Sequence, residues 1–164
     1  MTLFALLFPA LAFPMGLWLL RDEPRFAWVC DPARWPVEAL VLAAAGTIAT
    51  LAGVLDWCYH RGGKRVVPAR ERRCELLAMG LAAPMFVLLC IASVAARPGP
   101  LLVPVLACAL VVAALIAHDE TRYHRACSRY ETLLHRLLVA GNGIAFLCWT
   151  HWCFAREAGH VAAG

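Results

Sequence analysis

Charged side chains are scarce in this sequence. They make up 16% of its 164 residues, while 62% are apolar or aromatic. A soluble domain carries about 25% charged and about 45–50% apolar residues, so both figures miss in the same direction. With a mean hydropathy of +0.69, this excludes a soluble globular enzyme, a disordered chain and a nucleic-acid binder that relies on a basic surface. The 8 cysteines are too thinly spread for a secreted disulfide scaffold, and there is no Cys-x-x-Cys pair to act as a redox motif. The first apolar stretch lacks the basic segment that opens a signal peptide. The His-rich boxes of membrane lipid desaturases and hydroxylases are missing too.

What the sequence does have is long apolar runs. A bilayer core of about 30 Å needs about 20 mostly apolar residues in helical form. Residues 2–20, 37–55, 76–95, 101–117 and 137–154 answer to that description. The runs are continuous rather than alternating, and a small open sheet could not satisfy its backbone in lipid. The expected fold is therefore an all-α integral membrane protein with five transmembrane helices in a single domain. Residues 1–20 form an extra N-terminal helix, 37–95 one helical hairpin and 101–154 another, and the two hairpins make a bundle.

Ten of the 15 Lys and Arg residues fall in two connections, residues 56–75 and 118–136, which the positive-inside rule makes cytoplasmic. Five spans in an inner or plasma membrane then leave the N-terminus inside and the C-terminus outside. Trp28, Trp35, Trp149 and Trp152 sit where anchors of the outer interface belong. Cys30 and Cys153 share that side and could pair, whereas Cys58, Cys74 and Cys127 fall on the reducing side.

The two hairpins look related. Asp56-Trp57-Cys58-Tyr59-His60-Arg61 aligns with Glu120-Thr121-Arg122-Tyr123-His124-Arg125 at an offset of 64, sharing acid-x-x-Tyr-His-Arg. Arg73-Cys74-Glu75-Leu76-Leu77 aligns with Arg129-Tyr130-Glu131-Thr132-Leu133 at an offset of 56, sharing Arg-x-Glu-x-Leu. Such a pattern is expected of a parallel repeat, as in some transporter folds.

Residues four apart share a helix face. Asp56/His60, Glu120/His124 and Glu131/His135 are acid–imidazole pairs of this kind, and Glu71/Glu75 is an all-carboxylate pair. Folding both hairpins into a four-helix bundle brings Asp56, His60, Glu75, Glu120, His124, Glu131 and His135 to its cytoplasmic end. Four carboxylates and three imidazoles suit iron first, with manganese or zinc as the other fits. Bundles that hold two metals use inward carboxylates and histidines in this way. Asp56 directly follows an apolar run, where an ionisable group is costly and a functional partner is the default expectation. His118 and Asp119 lie on a different face from Glu120 and His124, and are expected to support ligands or simply to face the interface.

The expected function is a membrane metalloprotein with a carboxylate/histidine site, a candidate di-metal site, at the cytoplasmic membrane edge. Its place at the lipid boundary suits a lipid, isoprenoid or quinone substrate. Oxidative chemistry is the first expectation, and hydrolysis by a metal-bound water the second. The alternative belongs to another class: a non-catalytic accessory subunit, assembly factor or immunity-type protein. Its basic inner ends would bind a protein partner or anionic lipid, and a homo-oligomer is the other association that the sequence allows. A metal or proton carrier would need ionisable groups at mid-membrane, where only Asn142 and some cysteines lie. In the same span, Gly141 and Gly143 allow close helix approach, and Asn142 is expected to seek a partner within the bundle. Pro84 is expected to kink the third span.

Overall fold

The structure is a computed structural model that describes residues 3–63, 68–123 and 127–156. All regular structure among the described residues is helical. The long helices are α1 (Leu3–Leu19), α2 (Val37–Arg61), α3 (Ala69–Val94), α4 (Leu102–Arg122) and α5 (Arg129–His151). Short 3-10 segments join some of them, and a π-helical turn follows α5 at Trp152–Arg156.

Four helical stretches are long and apolar enough to cross a membrane: Val37–Arg61, Ala69–Val94, Gly99–Arg122 and Arg129–Ala155. The chain is thus an integral membrane protein by length and composition. At 1.5 Å per residue, the 17 residues of α1 span about 26 Å, some three residues short of a typical hydrocarbon core.

The helices outrun the apolar runs that predict them. α2 continues through Asp56 and His60 to Arg61, and α3 starts seven residues before Leu76. Polar residues at these ends remain helical because nothing interrupts them until the sequence supplies a stop. Gly62 caps α2, its N–H bonding to the Cys58 carbonyl, and Gly63 follows at φ +70°, a conformation that suits glycine. Pro68 stands at the N-terminal cap of α3, where its missing N–H costs no helix bond.

The chain divides into two compact units. The first comprises Met1–Gly62 and Leu133–Trp149. Here α2 turns Ala45, Ala49, Ala52 and Gly53 inward, a small-residue stripe at helical spacing. Gly141 of α5 lies against it: a Cβ there would stand 2.7 Å from the Ala45 carbonyl oxygen and 2.9 Å from the Ala49 Cβ. Two helix backbones meet this closely only where side chains are nearly absent. Phe13 of α1 packs edge-on against Trp149, with centroids 5.2 Å apart. The α1–α2 connection is two 3-10 turns, Pro24–Cys30 and Pro32–Arg34, with Phe26 buried beneath them. Asp31 holds the junction, accepting from the Ala33 N–H and pairing with the Arg34 guanidinium at 3.1 Å.

The second unit comprises Gly63–Thr132 and Thr150–Gly164. Its framework is the antiparallel α3–α4 hairpin, turned by the short Gly99–Leu101 helix. Leu89 of α3 and Val105 of α4 are fully buried. α3 runs unbroken through Pro84, which is exposed. Near the far end Ser93 bonds back to the Leu89 carbonyl at 2.9 Å and touches the buried Cys153 thiol at 3.4 Å.

Candidate functional site

The polar helix ends that flank the 62–68 and 123–128 connections sort their charges by sign. The described basic residues there, Arg61, Arg70, Arg72, Arg73, Arg122, Arg129 and Arg136, are all exposed. None of the acids is. Asp56, Glu75 and Glu120 are half-buried, and Glu71, Asp119 and Glu131 are buried at 1%, 5% and 2% exposure. The α1–α2 connection shows no such sorting, since Asp22, Glu23, Arg25 and Arg34 are all exposed there.

In the first unit, the expected Asp56/His60 pair forms. Asp56 Oδ1 lies 3.6 Å from His60 Nε2, with the two side chains 25% and 22% exposed. The last turn of α2 also stacks the Arg61 guanidinium over the Trp57 ring at 4.9 Å. That turns the charge away from His60, as the rotation of about 100° per residue requires. His135 belongs to this unit and is half-buried.

On α3 and α4 of the second unit, the most deeply buried acids are not the ones expected as ligands. On α3 the buried acid is Glu71 rather than Glu75, and on α4 it is Asp119 rather than Glu120. The reason is the packing register. On α3 the inward stripe runs through Ala92, Met85 and Ala78, at seven-residue steps that next reach Glu71. On α4 it runs through Val105 and Val112 and next reaches Asp119. The Cys74 thiol sits 3.8 Å from the Leu115 carbonyl, fixing the two helices side by side one turn before those acids. The heptad step was legible in the sequence, but only by extending the apolar stripe past the end of the apolar run.

Glu131, also in this unit, has a local explanation. Ser128 accepts from the Glu131 N–H at 3.2 Å, and its carbonyl accepts from the Thr132 N–H at 3.0 Å. Ser128-Arg129-Tyr130-Glu131 is therefore a capping-box sequence at the start of α5, with Glu131 at the position that reaches back over the first turn. His118 is exposed, and its ring stands 6.3 Å from that of Tyr123.

Of the seven expected ligands, Asp56 and His60 are brought together. Glu75 and Glu120 are half-buried within the second unit, Glu131 heads α5, and His124 lies outside the described residues. Among the described residues, no group of three or more His, Cys, Asp or Glu side chains is placed to hold a metal ion. The two copies of the sequence motif also sit differently. Asp56 to Arg61 lie wholly within α2, but α4 ends at Arg122 with Tyr123 as its cap. Glu75 is in the second turn of α3 and Glu131 in the first turn of α5.

One pairing left open by the sequence is answered, and one expectation is corrected. Cys30 and Cys153 are both free thiols, the former exposed and the latter buried against Ser93. Asn142 is exposed, and its Nδ2 donates to the Leu138 carbonyl of its own helix at 2.9 Å rather than to another helix. The reach of its side chain to the carbonyl one turn back makes that bond available without any neighbour. Of the two glycines beside it, Gly141 makes the close approach and Gly143 has no atom within 4 Å of an added Cβ.

No family model matches the chain, and neither the curated proteins nor the solved structures contain a match to it.

Proposed function

We propose that the chain is a non-catalytic membrane accessory protein whose arginine-rich helix ends bind anionic lipid headgroups of the cytoplasmic leaflet. One observation carries this reading: at those ends every described arginine is exposed while every acid is at least half-buried. The field presented outward is therefore more positive than the net charge of +4 suggests. An exposed basic residue near an anionic leaflet contributes about 1 kcal/mol, so several acting together form a strong anchor. The reading takes five spans, an N-terminus inside and a C-terminus outside, with α1 as the shortest span; reporter fusions at both termini test that topology. Thermal melts of the full chain in nanodiscs test the binding. Phosphatidylglycerol is expected to raise Tm over phosphatidylcholine, and the combined change of Arg70, Arg72 and Arg73 to Gln to remove much of the gain. Equal Tm in both lipids would end the proposal.

A second reading keeps the metal site, on the strength of the Asp56–His60 contact. In it, Asp56, His60, Glu75, Glu120, His124, Glu131 and His135 hold iron, or else manganese or zinc. The site serves oxidation, or secondarily hydrolysis, of a lipid, isoprenoid or quinone, and the two hairpins descend from one duplicated unit. Metal content of the purified protein decides it. About one or two ions per chain, lost in both His60→Ala and His124→Ala, support the site; none in the parent removes it.

A further inference from the structure

α5 carries one strongly polar side chain far from either end. Asn142 is the sixth residue of the apolar stretch 137–154 of this helix, about 9 Å of helix beyond Arg136. Its short side chain cannot reach the headgroup region from there. A carboxamide offers two N–H donors and one carbonyl oxygen with two lone pairs. One donor is used, on the Leu138 carbonyl of the same helix, which leaves a donor and an acceptor on an exposed residue. Hydrocarbon supplies neither partner, and a polar group left unpaired in it is costly.

We propose that Asn142 is the contact point of a parallel homodimer, in which each Asn142 donates its remaining N–H to the Oδ1 of the other. Two features select a second copy of this chain over another occupant. Copies inserted in the same direction place residue 142 at the same depth. The unused valences of Asn142 are also complementary to themselves, so a two-fold axis satisfies both chains at once. Gly143, with open space where a Cβ would stand, leaves room beside the pair for the backbones to approach. The anchoring of the arginine-rich ends plays no part in this contact.

Sedimentation equilibrium of the full chain in density-matched detergent tests the proposal. The parent is expected to associate as a dimer, and Asn142→Leu to raise its dissociation constant about tenfold, as two lost interhelical hydrogen bonds would. Asn142→Gln, which keeps both valences, is expected to hold the dimer. Thermal melts separate association from folding, because leucine is the better helix former and Asn142→Leu should melt no lower than the parent as a monomer. Should that variant aggregate, Asn142→Ala is read by the same criteria. A parent that is monomeric at every protein-to-detergent ratio, or a dimer with an unchanged constant in Asn142→Leu, overturns the proposal.

Discussion

In the first unit α2 meets α5 through Ala45, Ala49 and Gly141, whereas in the second α3 and α4 pack as a hairpin that buries Leu89, Met85 and Val105 and, further on, Glu71 and Asp119. The first seam is held by the closeness of two backbones, and its side chains matter for being small. The second buries a stripe of mixed large and small side chains, and that stripe continues past the apolar region so that carboxylates take the last inward positions. Lipid tails are as apolar as leucine, so neither seam gains the usual hydrophobic stabilisation within the membrane. Packing contacts have to supply it, and the two seams supply them in opposite ways. One should fail when atoms are added and the other when atoms are removed.

The sharpest way to break that contrast is Gly141→Leu. Even a Cβ at this position falls 2.7 Å from a backbone oxygen, so the helices must separate, at a cost of about 3 kcal/mol, the upper end for overpacking. Reversible unfolding in detergent measures it, and parental stability would show that α2 and α5 do not depend on close approach. Next comes Leu89→Ala in the second seam, expected to cost about 2 kcal/mol. That is the low end for a buried leucine, because the transfer part of the loss is small in lipid. A loss well below this would mean that the α3–α4 seam repacks freely. The smallest effect is expected of Ser128→Ala, about 1 kcal/mol from the missing cap. Hydrogen exchange at the start of α5 reads it locally; unchanged protection there would leave the burial of Glu131 unexplained by capping.

Much of the fold was legible in the sequence, and less of the site. The apolar runs place α2 to α5, and the four-residue spacing places Asp56 against His60, because both depend on contacts within one helix. The polar ends of the helices were left out, since apolar content marks where lipid begins and not where the hydrogen-bond ladder stops. Glu75 and Glu120 were chosen over Glu71 and Asp119 for a related reason. The repeat motif fixes residue types, but burial follows the rotation of each helix about its axis. That rotation is set by what the helix packs against. Gly141 and Gly143 make the same point two residues apart, one in contact with α2 and the other open.

The sequence by itself determined that this chain is helical and lives in a membrane. Its low charge and long apolar runs leave the backbone no partner but itself, and only a helix satisfies every peptide group locally. Only the tertiary structure decided which acids turn inward, which glycine meets a neighbour and which arginines remain outside. Those outcomes depend on the facing of one helix toward another, and residues a single position apart differ by about 100° in direction.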